Sequence, residues 1–304
     1  DLILWTPIMA GPGKTDALPN LDGPFRPNRA LDQAARLTEC TAPDNLVWQD
    51  DHLLFTSGNA VLLLDGLHDH GREAEQILRF ESVVTAMAAA KDGSLAIGLG
   101  GDGIAIVGGE HDGTMIPTVG DIVGSVPSAL CFADPHTLFV CMGPGEDART
   151  AAGALWRIDL RGAAPLCLAS GLASPSGLLL RNLDTLLVAE SARCRLVECA
   201  AAAPQTPRVV LDDLPGHPGR LAWGSGNSIW LAIVSLREGP VAAEPYGLVL
   251  RLGAGLAPRA SLHGRSEGRS RGVTSCLETR GELIVTCSAD DALLSVDLVH
   301  SSEN

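Results

Sequence analysis

No run of 18 apolar residues occurs in the 304-residue chain, so no segment has the length and character of a membrane-spanning helix. Basic residues are scarce: 22 Lys and Arg stand against 36 Asp and Glu, for a net charge of −14. No basic stripe is present to neutralise phosphates, which argues against a nucleic-acid partner. The opening segment DLILWTPIMAG (1–11) is too short, and lacks the basic flank, for a secretory signal. The expected compartment is the cytoplasm, or the periplasm or exterior if an upstream signal has been removed. Eight cysteines occur, none with the two-residue spacing of a metal site. They read as small buried hydrophobes, and Cys131 and Cys141 are the pair that one hairpin would make neighbours. There is no nucleophile elbow and no zinc-protease helix motif. The glycine-rich GLGGDGIAIVGG (98–109) has no helix after it, so it is not a phosphate loop. His68 and His70 fall in an outer turn and read as solvated residues.

Long helical patterns are also missing, and short apolar runs separated by polar turns take their place. The clearest stretch is GLASPSGLLLRNLDTLLVAESARCRL (171–196), and its rhythm recurs. PDNL at 43, VTAM at 84, PSAL at 127, PSGL at 175, PGRL at 218 and VTSC at 273 each open a copy. Their spacings are 41, 43, 48, 43 and 55 residues. Each copy reads as loop, strand, polar turn, strand, with a third strand following. A period of this size built from short strands indicates propeller blades. The expected fold is therefore all-β, a six-bladed β-propeller spanning residues 31–304. An outer strand in LDQAARL (31–37) would close the ring against the last blade. The proline-rich residues 1–30 would form an irregular N-terminal arm.

In such a ring the first strand of each blade lines the central channel, and the loops entering it open on one face. The second residue of each copy then converges on the axis: Asp44, Thr85, Ser128, Ser176, Gly219 and Thr274. Asn45, Ala86, Ala129, Gly177, Arg220 and Ser275 follow them, and Glu190 ends a second strand. Candidate catalytic residues are Asp44, Arg220, His217 and Glu190. Candidate substrate contacts are Asn45, Ser128, Ser176, Thr274, Ser275 and Tyr246. An Asp44–Arg220 pair across the channel reads in two ways. It is a structural tie, or it is a carboxylate or carbonyl clamp with Asp44 as base. His217 lies in a rim loop, where a histidine is ordinarily solvated. Loops 142–153 and 235–246 are long enough to roof the mouth.

Three segments resemble the strictosidine synthase-like branch of the six-bladed propellers, related to the gluconolactonase, regucalcin and paraoxonase group. They are VAESARCRL (188–196), DDLPGHPGRL (212–221) with SIWLAIVS (228–235), and YGLVLRL (246–252) leading to GVTSCLETRGELIV (272–285). The first half matches by blade rhythm and by PDNLVW (43–48). The resemblance implies a hydrolase, lactonase or condensing-enzyme scaffold for a small organic substrate. It also implies a divalent cation, Ca²⁺ or another, at the channel mouth. Asp44 matches the family's acidic ligand. Ser176 and Ser128 stand where Asn is usual, and Gly219 stands where Asp is usual, with Arg220 beside it. One carboxylate beside a guanidinium is a poor cage for a hard cation. Thr274 occupies the position of the condensing enzymes' Glu, and a threonine alone is no general base.

Three readings follow. The first is a small-molecule enzyme, acting on ester, lactone or related carbonyl bonds, with a depleted metal site. The second is a propeller that holds a metabolite or protein without turnover. The third is a metal hydrolase drawing ligands from Glu146, Asp147, Glu244 or Asp291.

Overall fold

The structure, a computed structural model, describes residues 22–65, 73–120, 125–144, 153–236, 247–264 and 272–298. The strand β1 (Ala35–Glu39) comes first and belongs to the last blade. Blade 1 is β2 (Pro43–Gln49), β3 (His52–Ser57), β4 (Ala60–Leu64) and β5 (Glu75–Arg79). Blade 2 is β6 (Val84–Ala89), β7 (Leu95–Leu99), β8 (Gly103–Val107) and β9 (Met115–Ile116). Blade 3 is β10 (Ser125–Asp134), β11 (Thr137–Pro144), β12 (Gly153–Asp159) and β13 (Leu166–Leu172). Blade 4 is β14 (Pro175–Asn182), β15 (Thr185–Glu190), β16 (Arg195–Ala200) and β17 (Arg208–Leu211). Blade 5 is β18 (Gly216–Trp223), β19 (Ile229–Leu236), β20 (Gly247–Leu252) and β21 (Pro258–Gly264). Blade 6 is β22 (Val273–Thr279), β23 (Glu282–Cys287) and β24 (Ala292–Asp297), completed by β1.

The chain thus forms a six-bladed β-propeller whose ring is closed by an N-terminal strand, as the repeat predicts. The closing strand begins later than residue 31. Residues 30–33 form a turn instead. Leu31 is buried between blades 5 and 6, and its amide donates to the His263 carbonyl at 3.0 Å. An apolar residue spent as an anchor there postpones the strand to Ala35. Residues 1–21 of the expected arm lie outside the described residues.

The core is divided into six layers, each between two neighbouring sheets. Along β15, Leu186 and Val188 face blade 3, while Leu187 and Ala189 face blade 5. Along β19, Trp230 and Ala232 face blade 6, while Leu231 and Ile233 face blade 4. A middle strand is therefore apolar on both sides. This explains runs such as TLLVAE, which do not alternate with polar residues. Burying a large apolar side chain stabilises by about 1.5–3 kcal/mol, and each such layer holds two blades together.

The inner strands share one irregularity. Register shifts fall between Asp44 and Val47, at Thr85, at Ser128, at Ser176, between Pro218 and Leu221, and at Thr274. A bulge twists the strand and re-aims a side chain. Six bulges at matching positions form a ring of polar groups at the level where the strands enter the channel. The strands approach closely there. A Cβ on Gly177 would overlap the Gly219 carbonyl oxygen, and one on Gly219 would lie 2.8 Å from the Thr274 carbonyl oxygen.

Candidate functional site

Arg220 lies at the centre of this ring. It extends from blade 5 and reaches four other blades. Its Nη1 donates to the Ser176 carbonyl at 3.0 Å and to the Ser128 carbonyl. Its Nη2 donates to the Thr85 carbonyl at 2.7 Å and to the Asp44 Oδ2 at 3.2 Å. The bulges free these carbonyls from the β-ladders, which is why a side chain can take them. Ala86, Ala129 and Gly177 occupy the equivalent repeat position in blades 2, 3 and 4.

The hydroxyls of the ring are also engaged. Thr85 Oγ1 donates to the Pro127 carbonyl at 2.6 Å, Ser176 Oγ to the Pro218 carbonyl at 2.6 Å, and Thr274 Oγ1 to the Pro43 carbonyl at 3.3 Å. These bonds link blade 2 to 3, 4 to 5 and 6 to 1. Ser128 Oγ donates within its own blade, to the Cys141 carbonyl at 3.1 Å. Ser275 Oγ accepts from the Leu46 amide at 3.1 Å, and Asn45 Nδ2 donates to Thr56 Oγ1 at 3.0 Å. Asn45 Nδ2 also lies 3.3 Å from Asp44 Oδ2. Asp44 Oδ1 is buried and has no hydrogen-bond partner among the described residues. A buried oxygen of this kind calls for a water or a ligand group.

Beyond the guanidinium the channel holds a cavity of about 60 Å³, walled by Leu46, Met87, Leu130, Leu178 and Cys276, with Asn45 and Ser275 as polar contacts. A water needs about 10–15 Å³ of such space, so the cavity has room for water. Small-molecule sites run to about 300–1,000 Å³, so this cavity is too small for an organic substrate.

Two of the four candidate catalytic residues are paired on the axis, and two are held elsewhere. Glu190 is buried under the turn at Ser191–Arg193. Its carboxylate accepts from the Ala173 amide at 2.8 Å, from Arg193 at 3.0 Å and from Arg195. His217 Nδ1 lies 3.0 Å from the Ser191 carbonyl and 3.7 Å from Cys194 Sγ. Both side chains organise that turn. Asp291 Oδ1 accepts from the Ala42 amide at 2.7 Å, which ties blade 6 to the entry of blade 1. Tyr246, Glu146, Asp147, Glu244, His68 and His70 lie outside the described residues, as does most of both roofing loops. The backbone carbonyls of Thr85, Ser128 and Ser176 were invisible to sequence reasoning. The pattern of small residues against one Arg at a single repeat position was the available signal.

None of the eight cysteines forms a disulfide. In the β10–β11 register Cys131 lies opposite Phe139 and Cys141 opposite Ala129, so the two thiols are not cross-strand partners. Burial pushes the Cys276 and Cys287 thiols up to about 12, and Cys141 well above its ordinary value. None of these three is a thiolate nucleophile at neutral pH.

The oxygens around Arg220, one carboxylate and three carbonyls, are of the type that a hard divalent cation takes. Here they are already occupied by a fixed positive charge. A second cation at that point would meet repulsion at hydrogen-bond distance, so the residues present do not fit one. Among the described residues, no helix is long and apolar enough to cross a membrane.

No protein-family model matches the chain, and no curated protein matches it in sequence. Solved structures do match in fold. A gluconolactonase from Xanthomonas campestris has a TM-score of 0.66 at 16% identity, covering 88% of this chain and 90% of its own. The calcium-binding protein regucalcin from Agrobacterium tumefaciens has a TM-score of 0.65 at 14% identity, covering 86% and 93%. A chain of a nidogen/laminin complex has a TM-score of 0.61 at 15% identity, covering 82% and 90%. The protein is thus a six-bladed β-propeller whose fold is similar to those of the gluconolactonase and regucalcin structures. The same fold also serves in a protein–protein complex, so architecture alone does not choose between catalysis and binding.

Proposed function

We propose that the chain is a lactonase-like propeller enzyme that opens a small, hydroxyl-rich ester or lactone at the channel mouth without a divalent cation. The observation that carries this reading is the Asp44–Arg220 pair on the axis, with Asp44 Oδ1 buried and unpartnered among the described residues. That oxygen is suited to hold the attacking water. The guanidinium, fixed by four blades, supplies positive charge where the carbonyl oxygen turns negative. Ring hydroxyls spend their protons on backbone carbonyls, so they offer the mouth acceptors rather than donors. A substrate rich in hydroxyl groups answers that surface, and a carboxylate does not.

A second reading, binding without turnover, is favoured by one specific observation. All four terminal N–H groups of Arg220 have acceptors in the folded chain. An assay of lactones and aryl esters, with and without EDTA, separates the two. The enzyme reading expects EDTA-insensitive turnover that falls about 10²–10⁴-fold in Asp44→Asn. Turnover lost in EDTA and restored by a divalent cation would refute the metal-independent reading. No turnover, combined with thermal stabilisation by sugar lactones or polyols, would replace it with the binding reading.

A further inference from the structure

A second cluster of chemistry-bearing side chains lies on the face opposite the mouth. The inner strands run away from the mouth, so the turn between first and second strands reaches that far face. So does the loop between third and fourth strands. His136 occupies the first kind of turn in blade 3, and Glu110 and His111 occupy the second kind of loop in blade 2. His111 Nε2 lies 2.9 Å from His136 Nδ1, with the rings edge-on at 86° and centroids 5.2 Å apart. Glu110 Oε2 lies 4.0 Å from His136 Nε2. One nitrogen from each histidine and one Glu110 oxygen fall within 4.8 Å of one another.

We propose that Glu110, His111 and His136 bind a borderline divalent transition metal, of the Zn²⁺, Co²⁺ or Ni²⁺ class, that clips blade 2 to blade 3. Two imidazole nitrogens and one carboxylate are the donor mixture such ions take, with a water as fourth ligand. Hard cations such as Ca²⁺ prefer an all-oxygen shell and are not expected here. Metal–nitrogen bonds of about 2.0–2.1 Å place donor atoms about 3.3 Å apart around a tetrahedral ion. The two nitrogens therefore open by a few tenths of an ångström, and the exposed Glu110 side chain swings inward.

The backbone on both sides is already held. Gly108 donates its amide to Asp112 Oδ1 at 2.7 Å, and Thr114 donates to the His111 carbonyl at 3.1 Å. His136 donates its amide to Asp134 Oδ1 at 2.8 Å, and its carbonyl accepts from Leu160 at 2.8 Å. Ordering entropy is thereby spent on folding rather than on metal capture. The nearby cation, Arg161, is paired through two 2.9 Å bonds to Asp159, which offsets its charge.

The test is titration of the intact, metal-stripped protein with Co²⁺ and with Zn²⁺. Cobalt absorption reports coordination, and calorimetry reports stoichiometry. One saturable equivalent is expected, with the visible band of a nitrogen–oxygen tetrahedral or five-coordinate site. His111→Ala and His136→Ala should each weaken binding by at least about tenfold, and Glu110→Gln should weaken it less. Glu110 is exposed and the two histidines half-buried in surface loops, so the changes should leave the fold intact, which circular dichroism checks. The double change of His68→Ala with His70→Ala should leave the equivalent in place. Absence of saturable binding overturns the proposal. So does an equivalent that survives both single histidine changes or disappears with His68 and His70.

Discussion

Replacing Arg220 by alanine removes one positive charge and four hydrogen bonds from the channel axis. A hydrogen bond involving a charged group contributes about 1.5–3 kcal/mol, so simple addition would give roughly 6–12 kcal/mol. That sum is too large. Arg220 is 17% exposed and Asp44 29% exposed, so water screens the pair and can enter once the side chain is gone. Three of the four acceptors are neutral carbonyls, which water can satisfy in the space vacated. Breaking a fully buried ion pair costs about 3–5 kcal/mol, which sets the ceiling, and the expected loss is about 2–4 kcal/mol. For chains of 150–250 residues each kcal/mol moves Tm by about 2–4 °C. At the low end of that scale, suited to this longer chain, a fall of about 4–8 °C is expected. Differential scanning calorimetry measures it. Arg220→Lys keeps the charge but cannot present two planar pairs of donors, so it should recover less than half of the loss. In a double-mutant cycle, Asp44→Asn should cost less in the Arg220→Ala background than in the parent. As a control, Arg161→Ala on the exposed pair with Asp159 should leave Tm unchanged. A parent-like Tm for Arg220→Ala would refute the view that the guanidinium ties the blades together.

Gly177→Ala forces a methyl group onto the Gly219 carbonyl where two inner strands touch. A loss of about 1–3 kcal/mol is expected, read as a lower urea midpoint at constant m. Glu190→Gln should lower stability by about 1–3 kcal/mol by uncoupling Arg193 and Arg195. If turnover is found, this change should alter kcat/KM no more than that stability loss explains. A selective loss of kcat would return Glu190 to the reacting centre. Iodoacetamide at neutral pH should leave Cys141, Cys276 and Cys287 unmodified in the folded protein, because burial disfavours the thiolate. All three should alkylate after denaturation, and mass spectrometry distinguishes the states.

Blade number and the starting points of the inner strands could be read from spacing. Every blade needs an apolar middle strand sandwiched between two sheets, and a polar turn on each side of it. PSGL and PGRL mark those entries in the sequence, and the strands begin at Pro175 and, two residues before the motif, at Gly216. The convergence of Asp44, Ser128, Ser176, Arg220 and Thr274 on one ring followed from the same repeat. Placement of the Glu190 and His217 side chains did not. Their surroundings depend on Arg193, Arg195 and the Ser191 turn, which belong to one blade only.

What the linear chain determined is periodic: six copies of one pattern, and therefore a closed ring with an axis. Periodicity is set by local burial, which each residue type carries wherever it goes. What folding alone decided is how the polar groups at the axis are shared out. Donors and acceptors there lie up to 231 residues apart, as in the Thr274–Pro43 bond, and the Arg220–Asp44 pair spans 176. Backbone carbonyls, identical in every residue, take most of the guanidinium's hydrogen bonds. No pattern of side chains announces which carbonyls a bulge will turn inward, and so the fixed positive charge at the channel mouth appears only in three dimensions.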